Sequence, residues 1–156
     1  PNILPFMENK KIKTKIPIYI IQGNFSNERR NFDLLKILLN KNFKYDFKIK
    51  MVGRGEPPFK HEKIILKKNL NFINFHKEFL DVYCILPLIS KKTHPQYYTN
   101  KLTSSMSYTY AYNLHIILDK DLQNIYKHKK AFIYQDEKDF LNVFEKSLVH
   151  FYENNN

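Results

Sequence analysis

The sequence predicts an α/β domain built on a doubly wound, mainly parallel sheet with helices on both faces, and two observations carry that expectation. Short runs of β-branched and aromatic residues are apolar along their whole length, the mark of strands covered on both sides. Amphipathic segments of helical length lie between them, as crossovers between parallel strands require. With 156 residues, 43% hydrophobic and 15% aromatic, the chain is long enough to bury one sizeable core as a single domain.

Residues 16–21 form the first apolar run, and 31–39 place Phe32, Leu35, Leu38 and Leu39 on one helical face. A second strand over 47–52 is stopped by Gly53-Arg54-Gly55 and by the turn-making Pro57-Pro58. Short strands are expected at 64–66 and 70–75, a short helix over 76–82, and a buried strand over 84–88. The rest reads as a helix (101–112), a strand (115–118), a short helix (119–126), a strand (132–134) and a closing helix (137–151). Residues 1–15 are expected to be a linker or the start of the domain, 16–153 the α/β domain, and 154–156 a frayed tail. In such a sheet ligands sit outside the carboxyl ends of the strands, where loops 23–30, 53–58, 75–77 and 89–105 would converge.

A net charge of +11 would favour nucleic acid or an anionic membrane if the lysines formed one patch. They are instead spread over 10–15, 41–50, 60–68 and 127–130 among core-type residues, which reads as a solvated, anion-attracting surface. Contact with membrane headgroups stays open. Cys84 is alone, so a disulfide framework and a cysteine zinc site are excluded, and a reducing, cytoplasmic setting is expected, including the cytosolic face of a membrane. No apolar run reaches the length of a membrane span. The first residue is Pro1, so the chain is expected to be a piece of a longer protein. Without a P-loop, a dinucleotide fingerprint or a His-Glu metal constellation, the residues argue against triphosphate hydrolysis and nicotinamide redox chemistry.

Two strand-to-helix junctions carry cations: Gly23-Asn24-Phe25-Ser26-Asn27-Glu28-Arg29-Arg30, and Tyr97-Tyr98-Thr99-Asn100-Lys101-Leu102-Thr103-Ser104-Ser105. A helix start offers unpaired N–H groups and the positive end of a dipole, so Lys101 and the hydroxyls of Thr103, Ser104 and Ser105 suit a phosphate there. The bland readings stand beside these. Arg29 and Arg30 also fit solvated charges, although cations at a helix start are mildly unfavourable. Ser104 and Ser105 fit simple caps, and Gly53 and Gly55 fit turns needing positive φ. His76, His94 and His115 show no ligand spacing, and His115 suits a packed position within a strand. Tyr97, Tyr98, Tyr108, Tyr110 and Tyr112 are core fillers by default.

In order and spacing, Gly23-Asn24…Arg29-Arg30, Met51-Val52-Gly53-Arg54-Gly55, Leu70-Asn71-Phe72-Ile73-Asn74-Phe75-His76, Ile85-Leu86-Pro87-Leu88 and the 101–105 segment resemble the C-terminal, donor-binding half of a GT-B type glycosyltransferase, a Rossmann-like domain. The resemblance implies a metal-independent transferase that uses a nucleotide-diphosphate sugar as donor substrate, with no further cofactor. Arg30 or Arg29 would approach the diphosphate, with Gly23, Asn24, Gly53 and Arg54 around it. Phe75 and His76 would hold the base, and Lys101, Thr103, Ser104 and Ser105 would cap the phosphates. Arg30 and Lys101 would stabilise charge during transfer. The resemblance also implies an N-terminal acceptor-binding domain as partner in the full-length protein. The chain departs from it in having no carboxylate from Lys101 to Asn113, where many retaining members carry two glutamates. The competing expectation is a non-catalytic basic α/β module for nucleic acid or an anionic surface; of these two, nucleic acid is disfavoured as a partner.

Overall fold

The structure, a computed structural model, describes residues 11–26, 30–92, 94–99 and 104–155. Six parallel strands form one sheet: β1 (Ile18–Asn24), β2 (Lys48–Arg54), β3 (Ile64–Lys68), β4 (Cys84–Ile85), β5 (His115–Asp119) and β6 (Ala131–Tyr134). Their order is β3-β2-β1-β4-β5-β6, a doubly wound Rossmann-like α/β arrangement. The chain runs outward from β1 to β3 and then returns to lay β4 on the other side of β1, so the switch point lies between β1 and β4.

The inner strands segregate their apolar side chains onto two cores. Tyr19 and Ile21 of β1 face a layer made by α1 (Phe32–Asn40) and α6 (Glu137–Asn154), with Leu35, Leu38, Phe144 and Leu148 fully buried. Ile20, between them in sequence, faces the opposite layer, built from α2 (Phe72–Lys77), α4 (Ser104–Tyr112) and α5 (Lys120–Tyr126). Burying each such side chain contributes about 1.5–3 kcal/mol, which is why a strand with no polar face forms only when helices cover both sides. The Tyr19 hydroxyl bonds Ser147 Oγ at 2.7 Å, pinning α6 to the sheet.

The structure departs from the sequence expectations at four places. Residues 70–75 are not a strand, and the short helix begins at Phe72 rather than at 76. Asn69 takes a left-handed φ of 55°, and the Asn71 side chain accepts from the Asn74 N–H at 2.8 Å as an N-cap; the cap wins over the β-propensity of Phe72 and Ile73. Residues 76–82 end α2 and continue as single turns, with Phe79, Leu80 and Val82 donating to His76, Lys77 and Phe79. The strand expected over 84–88 pairs only at Cys84 and Ile85, because Pro87 has no N–H and Leu88 sits at φ 53°. Finally, the 97–105 hinge holds a short helix, α3 (Gln96–Thr99), before α4 begins at Ser104.

Candidate functional site

A cleft of about 530 Å³ opens at the carboxyl ends of β1, β2 and β3. Its floor is the glycine pair Gly23 and Gly53, which lie opposite each other in the ladder. A Cβ on Gly53 would stand 1.7 Å from the Gly23 carbonyl oxygen, so the two backbones approach in a way that only glycine permits. Gly53 therefore serves the close contact of neighbouring strands rather than a turn. Gly23 has φ 109°, and the Asn24 side chain accepts the Ser26 N–H at 2.9 Å, turning the chain sharply out of β1.

Arg54 and Asn24 supply polar groups along one wall, and Arg54 is exposed. Across from them stand Asn69, Leu70, Phe72 and Phe75. The Asn69 N–H donates to the Gly53 carbonyl at 3.0 Å, which ties the far wall to the glycine floor. Phe72 is 62% exposed, a large aromatic face kept in water at the cleft mouth, with its edge 4.4 Å from the His76 ring by centroids. An apolar wall with a few convergent polar groups is the usual make-up of a small-molecule site.

Behind the cleft, the first crossover and the start of α4 meet at Gln22. Arg30 Nη2 donates to the Gln22 carbonyl at 2.5 Å, and Gln22 Nε2 donates to Ser105 Oγ at 3.2 Å. The Arg30 side chain passes below Gly23, where an added Cβ would meet its Nη2 at 3.2 Å. With 5% exposure, Arg30 is built into the wall. It braces the β1 end and lends a positive potential there, and among the described residues Arg54 is the cation that faces the opening.

Gly23, Asn24, Gly53, Arg54 and Phe75 thus come together as lining of one cleft, and Arg30 and Ser105 adjoin it through Gln22. His76 is not part of the lining but stands behind Phe72 and Phe75: its Nδ1 shares a 2.5 Å hydrogen bond with the Tyr112 hydroxyl, in the aromatic seam with Phe79 and Tyr108. Burial there lowers its pKa below the ordinary histidine value. Tyr112 rises in turn to about 12, chiefly by desolvation. Ser104 opens α4. Arg29, Lys101 and Thr103 lie outside the described residues. Among the described residues, no group of three or more His, Cys, Asp or Glu is placed to hold a metal ion.

The sequence reading missed Gln22, Asn69, Leu70 and Phe72. For Asn69 a signal existed: asparagine closing the Lys67-Lys68-Asn69 run is a residue type that tolerates left-handed φ. The cap at Asn71, once seen, brings Phe72 to the first turn of a helix beside the cleft. Gln22 carried no signal, because in an apolar strand it looks like the end of a run. No protein-family model and no curated protein matches the chain.

Proposed function

We propose that this domain binds the donor of a sugar-transfer reaction, a nucleotide-diphosphate sugar, and acts as the donor half of a GT-B type glycosyltransferase. The observation that carries the reading is the junction at Gln22, where Arg30 and Ser105 meet behind a cleft floored by Gly23 and Gly53. The glycine pair lets the β1 and β2 ends close on each other and form the floor, Arg54 offers a two-pronged donor to diphosphate oxygens, and Phe72 and Phe75 offer faces for a base. As the bond from the anomeric carbon to the diphosphate breaks, negative charge grows on the leaving phosphate. The charges of Arg30 and Arg54 around the β1 end would stabilise it. An acceptor site and the group that activates the acceptor would come from a partner domain, so this chain alone is expected to bind donor and transfer little.

The test is a thermal-shift panel with millimolar uridine and guanosine diphosphates, their sugar conjugates and inorganic phosphate. At ligand ten times above Kd, the stabilisation is about 1.4 kcal/mol, or roughly 3–5 °C for a chain of this size. Arg54→Ala should lower the nucleotide response about tenfold in affinity. A response to long polyanions alone, abolished by salt, would favour a non-catalytic basic module.

A further inference from the structure

The amino ends of the strands carry a second cavity, of about 360 Å³, near the residues that lead into β4, β5 and β6. Tyr83 before β4, His115 at the head of β5 and Lys130 before β6 form its inner wall, and Lys11 and His150 close it from the chain start and from α6. Cations dominate this lining. The one carboxylate among the described residues that reaches it, Asp81, is already held by Lys50 at 2.6 Å. Among the described residues the ion pairs involve only Lys50, Lys63 and Lys68, so Lys11 and Lys130 have no counter-charge there.

The crowding shows in the electrostatics. Lys11 is held below the ordinary lysine value by desolvation and then by Lys130. His115 is pulled down to about 4, first by desolvation and then by Lys130, His150, Lys11 and His128. The carboxyl end of α6 lies close by and its carbonyls would repel an anion, but the side-chain amides of Asn154 and Asn155 occupy the His150 and Phe151 carbonyls at 2.8 and 2.7 Å. Lys130 Nζ is steered by the Asn113 carbonyl at 3.3 Å. Two ammonium groups, Lys11 and Lys130, lining one hollow beside a neutral imidazole suit a ligand that supplies negative charge and accepts a hydrogen bond.

We propose that this cavity is an anion site, separate from the cleft, which takes a phosphate monoester between Lys11, Lys130 and His115. Its size admits a phosphate with a short organic stub, and the chemistry is shared by soluble phosphate esters and by a lipid headgroup of the phosphatidic acid type. The proposal does not rest on the sugar-transfer reading, since the two sites lie at opposite ends of the strands.

The experiment titrates the chain with glycerol 3-phosphate while NMR follows the rings of His115 and His150 and the backbone amides of Gly23 and Gly53. In parallel, the chain is sedimented with phosphatidylcholine vesicles with and without phosphatidic acid. Saturable shifts at His115 and His150, with a raised His115 pKa, are expected. A Lys11→Ala/Lys130→Ala variant should bind about tenfold or more weakly, and a Lys127→Ala/Lys129→Ala variant, equal in charge, should bind as the parent does. Vesicle binding that needs Lys11 and Lys130 would identify the lipid as the source, and its absence alongside intact glycerol phosphate binding would identify a soluble ester. Shifts confined to Gly23 and Gly53, or equal weakening in both double variants, would overturn the site. Uridine diphosphate binding in the Lys11/Lys130 variant reports on the cleft separately, so failure of one site leaves the other readable.

Discussion

Replacing Gly53 with alanine tests the floor of the cleft directly. The new Cβ would lie 1.7 Å from the Gly23 carbonyl oxygen, 2.7 Å from its carbon and 3.0 Å from its nitrogen. An ordinary contact needs about 3.5 Å, so the strands must part by close to 2 Å where their normal spacing is about 4.8 Å. The obstacle is backbone, held in register on both sides from Ile18↔Lys48 to Asn24↔Arg54, so no rotamer change relieves it. Overpacking usually costs about 1–3 kcal/mol, and an unyielding neighbour places Gly53→Ala at the top of that range or above. For a chain of this length about 3 kcal/mol lowers Tm by roughly 6–12 °C. Gly55→Ala is the control, because its Cβ would meet nothing closer than 3.9 Å and only its φ of 88° is unfavourable, at about 1 kcal/mol. Urea denaturation followed by circular dichroism measures both. If Gly53→Ala is no worse than Gly55→Ala, the strands do not approach as described and the floor is wrongly built.

Other consequences can be measured on the same material. Phe72→Ala should weaken a nucleoside diphosphate by about 1–3 kcal/mol while leaving inorganic pyrophosphate unchanged, since only a base can stack on that ring; calorimetric titration of both ligands decides it. Lys50 is buried between Asp81 at 2.6 Å and Glu78 at 3.3 Å, so Lys50→Ala should cost about 3 kcal/mol in urea unfolding, and Lys50→Met, which fills the slot, should cost less. His115 has a folded pKa of about 4 against 6.5 as the reference. Between those values the unfolded chain binds a proton that the folded chain does not, so stability falls as pH drops from about 6.5 to about 4. The residue is half-buried, so solvent screening reduces the effect to about 1 kcal/mol, and His115→Phe should flatten that part of a Tm-against-pH curve.

What was legible in the sequence was whatever burial alone dictates. Ile18 to Ile21 and Ile116 to Leu118 have no polar face, and such runs are stable only between two layers, so the parallel sheet follows. Gly23, Gly53 and Arg54 were legible as residues of the carboxyl edge, where the cleft opens, because they sit where strands end. Short-range polar geometry was hidden: the Asn71 cap that makes a helix of 72–77, and the left-handed Leu88 that ends β4 early. Arg30 illustrates the limit best. Its place in the sequence suggests a ligand-facing cation, but whether a guanidinium faces solvent or a neighbouring carbonyl depends on a contact with Gln22 that no local pattern encodes.

The salt dependence of binding separates the two functional readings more sharply than the net charge does. Among the described residues the cleft contains one exposed arginine beside neutral groups such as Gln22, Asn24, Asn69 and two phenylalanines. A nucleoside diphosphate held there draws on hydrogen bonds and stacking, and its affinity should change by less than about fivefold between 50 and 200 mM salt. A polyanion that draws on the +11 surface displaces many counterions and should lose on the order of a thousandfold over the same range. Fluorescence anisotropy with a labelled oligonucleotide, and competition by uridine diphosphate, supply both curves. If the nucleotide response collapses in parallel with the oligonucleotide response, the binding comes from diffuse charge, and the cleft at the strand ends is not its source.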